Sequence, residues 1–132
     1  MRRLAGLLAA LSLSVLLNLS AQEVISARDA AQYAGKTVTV RGVVASTAYA
    51  ASSNGKPTFL NLEKPYPDQG FTVVIWGTDR PKFPEPPERA FRSKTILVTG
   101  KVELHRGVPE IVVRNPSQIV VETGREGVPD GR

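Results

Sequence analysis

Lys36-Thr-Val-Thr-Val-Arg-Gly-Val-Val44, then Pro57-Thr-Phe-Leu-Asn-Leu62 and Phe71-Thr-Val-Val-Ile-Trp76, are the runs on which the fold turns. In the first, Val38 and Val40 alternate with Thr37, Thr39 and Arg41, the period of a half-buried strand. Gly42 is expected to shift that phase, setting Val43 beside Val44 and letting the strand bulge and bend. The third run is apolar on both faces, with Phe71, Val73 and Ile75 read as inward and Thr72, Val74 and Trp76 as outward. Downstream, Lys94-Thr-Ile-Leu-Val-Thr-Gly-Lys-Val-Glu-Leu104 repeats the pattern with Gly100 as a second bend, and Val108 to Val121 supplies a last strand. Alternation assigns Val38, Val40, Leu60, Leu62, Phe71, Val73, Ile75, Val98, Val102, Leu104, Ile111 and Val113 to the interior.

A long bent first strand, a short second, an apolar third, a non-strand insert and a second glycine-bearing strand form the order of an OB-fold. The expected architecture is therefore all-β: a closed five-stranded Greek-key barrel over residues 22–122. The connections fit that order. Residues 45–56 are small and polar and read as a mobile loop, and His105-Arg-Gly-Val108 reads as a tight hairpin turn. Asn115-Pro116 breaks the last strand, and four prolines between Arg80 and Arg89 allow at most one helical turn at 87–92. A short N-terminal helix over 27–34 is predicted from the capping box Ser26-Ala-Arg-Asp29 and the left-handed stop at Gly35. Its alanines suit it to plugging an end of the barrel.

Residues 1–21 read as an export signal: Met1-Arg-Arg is basic, Leu4 to Leu19 is apolar, and Ser20-Ala21 suits cleavage. The apolar run is too short and too interrupted by Ser12, Ser14 and Asn18 for an anchor, so the mature protein is expected to be periplasmic or extracellular, with no membrane anchor. Residues 123–132 lack apolar periodicity and read as a disordered tail. With no cysteine, disulfides, thiol chemistry and cysteine-ligated zinc are excluded. The full chain carries 17 basic and 12 acidic side chains; without Arg2 and Arg3 the basic count is 15 and the net charge +3. That mild excess permits a nucleic-acid partner without announcing one.

Gly35-Lys-Thr-Val-Thr-Val-Arg-Gly-Val-Val followed by Gly55-Lys-Pro-Thr-Phe-Leu-Asn-Leu resembles the anticodon-binding OB domains of class II aminoacyl-tRNA synthetases. Phe59-Leu-Asn61, Tyr66-Pro67 and Phe71 to Ile75 also resemble a run in the OB modules of secreted bacterial nucleases and of exported stand-alone proteins. The synthetase resemblance implies that an aromatic at Phe59 can stack on a base. It departs at Asn61, where those domains carry Asp.

A base-binding OB surface needs aromatic platforms and cations on the outer face of its second and third strands. Phe59, Tyr66 and Trp76 are the candidate platforms, Arg41, Lys56, Lys64 and Lys101 the candidate cations, and Asn61 a polar contact. The bland alternative packs Phe59 and Trp76 beneath a loop and leaves the cations solvated. The single histidine, His105, has no ligand partners at metal spacing and reads as an exposed turn residue, and Ser93 and Ser117 fit no nucleophile motif. Glu63, Asp68, Glu85 and Glu88 read as solvated. A non-enzymatic, cofactor-free binding protein is expected, with single-stranded DNA or RNA as partner. The alternatives are an envelope protein-interaction or small-ligand module, and a nuclease accessory domain.

Overall fold

A computed structural model describes residues 23–123; the export-signal segment and residues 124–132 of the predicted tail lie outside the described residues. The chain forms β1 (Val24–Ser26), a 3-10 helix (Ala27–Tyr33), β2 (Thr37–Tyr49), β3 (Thr58–Leu62) and β4 (Phe71–Ile75). It continues through a 3-10 turn (Arg80–Lys82), α1 (Pro87–Ala90), β5 (Thr95–Lys101), β6 (Glu103–His105), β7 (Val108–Val112), a 3-10 turn (Pro116–Gln118) and β8 (Ile119–Val121). No helix among the described residues is long and apolar enough to cross a membrane.

The strands hydrogen-bond in the order β6-β7-β4-β3-β2-β5-β8, with β1 added parallel to β2. This is an open eight-stranded sheet and corrects the expected closed five-stranded barrel. Two breaks explain the higher strand count. Val102 leaves the β5 ladder to exchange backbone hydrogen bonds with Gly35 and Lys36, at 2.7 and 3.0 Å, so the fourth predicted strand divides into β5 and β6. Asn115 ends the last strand by accepting from the Ser117 amide while the Gln118 side chain accepts from the Asn115 amide, so Ile119–Val121 pairs separately with β5.

β2 is shared between the two halves of the sheet. Its first half pairs with β5 through Val40 and Val98, and its second half pairs with β3 through Thr47 and Leu60. The bend between the halves lies at a register shift between Val44 and Ser46, not at Gly42, which keeps regular register opposite Ile96. Gly42 has a different task. A Cβ there would approach Leu62 Cδ1 to 3.0 Å and the Ala27 methyl to 3.3 Å, so glycine admits the end of β3 and the N-terminal helix to the strand. At Gly100 a Cβ would fall 2.6 Å from Ile111 Cγ2, and its absence allows β7 to cross close over β5.

Every residue assigned to the interior is buried except Leu104, which is 52% exposed because β6 is an edge strand. Val74 and Thr72, expected outward, are also buried. The predicted 45–56 loop is shorter, since residues 45–49 continue β2 and residues 46–49 pair with β3. The N-terminal helix buries Ala27 and Ala30 in the core, as expected of a plug. Its capping box differs, however: Ser26 makes no side-chain cap and its hydroxyl donates to Asp29 Oδ2 at 3.1 Å. Gly35 holds the left-handed stop at φ +89°.

Candidate functional site

The bend in β2 turns the outer face of its second half toward β3, β4 and β7, and these four strands floor a groove of about 780 Å³. Register decides which side chains meet there. Ser46 stands opposite Asn61, Asn61 opposite Thr72, and Thr72 opposite Glu110, making one polar row across the four strands. A second row runs Ala48, Phe59, Val74, Val112. Aromatic surface and hydrogen-bonding surface therefore lie side by side on one sheet face.

The polar row is wired in one direction. Gln69 Nε2 donates to Thr72 Oγ1 at 3.2 Å, and Thr72 donates over a long 3.5 Å to Asn61 Oδ1. Asn61 Nδ2 in turn donates to Ser46 Oγ at 3.1 Å. Ser46 Oγ also accepts from the backbone amide of Tyr66 at 3.1 Å, tying the 63–70 loop to β2 and setting the exposed Tyr66 ring at the groove wall. Gln69 presents its amide nitrogen to Thr72 and turns Oε1 away. That oxygen is buried and has no partner among the described residues.

The β6–β7 hairpin closes the opposite wall. Its two turn residues, Arg106 at φ +53° and Gly107 at φ +83°, have the backbone that suits a two-residue hairpin connection. His105 and Arg106 line the groove beside Glu110. Glu110 makes no ion pair or side-chain hydrogen bond with another described residue. Burial raises its pKa above the usual carboxylate range and the like charge of Glu103, opposite it in register, adds to this, while His105 acts in the lowering direction.

Of the residues singled out from sequence, the structure brings Phe59, Asn61 and Tyr66 together in the groove. Lys64 lies exposed in the loop before Tyr66 and does not line it. The other cations lie elsewhere. Arg41 is on the first half of β2, where Nε donates to both carboxylate oxygens of Glu122 at 2.9 Å and Nη2 donates to Oε1 at 2.6 Å. Lys101 stands opposite Thr37 at the far end of the β2–β5 ladder. Lys56 borders a separate depression with Tyr49, Arg80 and Pro86. There Arg80 stacks 3.6 Å above the Tyr49 ring and is held by Glu88 at 2.7 Å, so Glu88 is a paired residue, not the solvated carboxylate expected. Trp76, 40% exposed, packs over the turn at Gly55, where an added Cβ would sit 2.9 Å from the indole ring. Among the described residues no cluster of His, Asp and Glu could hold a metal ion.

Ser46, Gln69, Thr72, His105, Arg106 and Glu110 were not singled out as binding residues from sequence. Their shared position depends on the parallel pairing of β4 with β7, a contact between segments some 38 residues apart in register, Thr72 with Glu110. No local pattern signals such a pairing.

No family model matches the chain, and no curated protein matches it. Solved structures do. The chain is similar to OBody AM1L10 bound to hen egg-white lysozyme, at 20% identity and a TM-score of 0.50, over 80% of this chain and 99% of that one. It is also similar to an aspartyl-tRNA synthetase from Leishmania major Friedlin, at 15% identity and a TM-score of 0.47, over 79% of this chain. A third similarity is to the aspartyl-tRNA synthetase from Entamoeba histolytica, at 20% identity and a TM-score of 0.43, over 68% of this chain. The chain spans 21% and 19% of the lengths of these two synthetases. At 20% identity the first likeness concerns the fold, which is OB-like with the sheet left open.

Proposed function

We propose that this protein is an exported, non-enzymatic binding protein that holds single-stranded or otherwise flexible nucleic acid across the β2–β3–β4–β7 groove. The observation that carries the reading is the placement of Phe59 and Tyr66 around a wired amide-and-hydroxyl row in one groove. Stacking on such aromatics contributes about 1–3 kcal/mol per base and tolerates any base, while amides and hydroxyls hydrogen-bond exposed base edges. Phosphate contact has a smaller share, because Arg106 is the lining residue with a permanent positive charge. Residues 1–21 serve as the export signal in this reading and place the domain outside the cytoplasm. Fluorescence anisotropy of a labelled single-stranded oligonucleotide at low salt tests it: saturable binding is expected, and absence of binding overturns it.

One observation favours a second reading as an envelope protein-interaction module. The charged groups that line the groove, Arg106, Glu110 and titratable His105, nearly balance. An OB-type structure of the same outline is described in complex with a protein, hen egg-white lysozyme. Affinity for an exported protein partner without affinity for any oligonucleotide would establish this alternative.

A further inference from the structure

We propose that nucleic-acid binding in this groove is coupled to proton uptake by Glu110, so that a strand is held more tightly in mildly acid than in mildly alkaline surroundings. This inference rests on the nucleic-acid reading above and concerns the regulation of that same site.

The carboxylate is built into the floor on which the strand lies. Glu110 stands beside Thr72, its register partner on β4, in the row that continues through Asn61 to Ser46, and it lines the groove half-buried. None of the ion pairs among the described residues includes it. Of the charged or titratable groups around it, β6 contributes Glu103, directly opposite in register, and His105; the hairpin turn contributes Arg106, and the 63–70 loop the Tyr66 phenol. β4 and β2 face the groove with the uncharged Thr72 and Ser46. Among the described residues no lysine lines it, so Arg106 alone offsets Glu110 with a permanent charge. His105 and Arg106 stand at the same end of the groove as Glu110, and phosphates that meet them run past the carboxylate.

A strand held there acts on Glu110 twice, with the same sign. Its phosphates bring negative charge to a place where Glu103 already opposes the carboxylate, and its bases displace water from the groove; both disfavour the ionised form. In the free chain burial has already raised the Glu110 pKa above the usual carboxylate range, with Glu103 adding to this and His105 opposing it. A further rise on binding carries the titration toward neutral pH. The complex then holds more protons than the free chain, and by linkage affinity rises as pH falls through the bound-state value toward the free-state value and levels off below it. One pKa unit between the two states corresponds to about tenfold in affinity.

Isothermal titration calorimetry of the full-length chain with an unlabelled dT dodecamer, whose bases do not titrate in mild acid, tests this at low and constant ionic strength. Affinity should rise about tenfold between about pH 8 and about pH 5.5, and titrations in two buffers of different ionisation enthalpy should show net proton uptake on binding. In Glu110→Gln, a neutral isostere of the protonated form, affinity at the alkaline end should approach that of the wild type in acid, and proton uptake should fall. In His105→Gln, which removes the imidazole, uptake should persist; its loss there would assign the proton to His105 and overturn the inference, an arm that holds even should Glu110→Gln fail to fold. Binding without proton uptake, or undiminished uptake in a folded Glu110→Gln, overturns the inference and leaves the nucleic-acid reading intact. No binding at either pH overturns the reading and the inference together.

Discussion

Asn61 Nδ2 donates to Ser46 Oγ across the β2–β3 pair at 3.1 Å, and the same hydroxyl oxygen accepts from the amide of Tyr66. Asn61 thereby anchors the loop that carries the groove's most exposed aromatic. Asn61→Ala should release that loop and weaken oligonucleotide binding even if position 61 never touches the ligand. Because Asn61 is 3% exposed, its loss also takes the acceptor from the buried Thr72 hydroxyl and leaves Ser46 Oγ with the Tyr66 amide alone, and a stability cost of about 1–3 kcal/mol is expected in urea unfolding.

Phe59→Ala and Tyr66→Ala should each weaken single-strand binding by about 1–3 kcal/mol and leave its salt dependence unaltered, since stacking releases no counterions. Trp76→Ala should behave differently. Its indole packs over Gly55 outside the groove, so the melting temperature should fall while affinity measured below the melt is retained. Anisotropy titrations at several salt concentrations, beside circular-dichroism melts, separate the two kinds of effect.

The salt slope should follow the hairpin instead of the far sheet. Arg41→Ala and Lys101→Ala should leave the slope unchanged, because Arg41 is engaged by Glu122 and both residues lie away from the groove. Arg106→Ala should reduce its magnitude by about 0.7, the share of one phosphate contact on a single strand. The Arg41–Glu122 pair is solvent-exposed, and breaking it should leave the melting temperature close to that of the wild type.

Two carboxylates should give opposite pH dependences. Hydrogen bonding to Arg80 lowers the Glu88 pKa, so its contribution to stability is present above the unfolded-state value and is lost as pH falls through the folded-state value. Glu88→Gln should therefore flatten the acid limb of a plot of melting temperature against pH. Burial raises the Glu110 pKa, so the protonated form is favoured in the folded state; that gain is present below the unfolded-state value and lost as pH rises through the folded-state value. Glu110→Gln should be more stable than wild type at neutral pH, with the difference closing in acid. A wild-type chain more stable than Glu110→Gln at pH 7 would contradict the desolvated placement.

Gly100→Ala inserts a methyl 2.6 Å from Ile111 Cγ2, between two elements of the core, and should cost about 1–3 kcal/mol by overpacking. Chemical denaturation monitored by tryptophan fluorescence measures it.

The interior was legible because strand alternation is local: Val38, Val40, Phe71, Val73 and Ile75 announce their face through their neighbours two residues away. Alternation gave no warning about Leu104, since exposure there follows from β6 being an edge. It also placed Arg41 with the outward set and could not tell that the bend between Val44 and Ser46 turns that part of the face away from the groove. Phe59, Asn61 and Tyr66 were accessible because all three belong to one short segment around β3. Glu110, His105 and Arg106 join them through a parallel pairing of distant strands, which is a property of topology and not of any window of sequence.

The central claim, that the β2–β3–β4–β7 face is the nucleic-acid interface, is tested most directly by a heteronuclear NMR titration with an unlabelled single-stranded oligonucleotide. Amide and side-chain shifts should concentrate at Ser46, Phe59, Asn61, Tyr66, Gln69 and Glu110, with Arg41, Thr99 and Lys101 unmoved. Shifts centred on the Arg41–Lys101 face, or no shifts at saturating oligonucleotide, would contradict it.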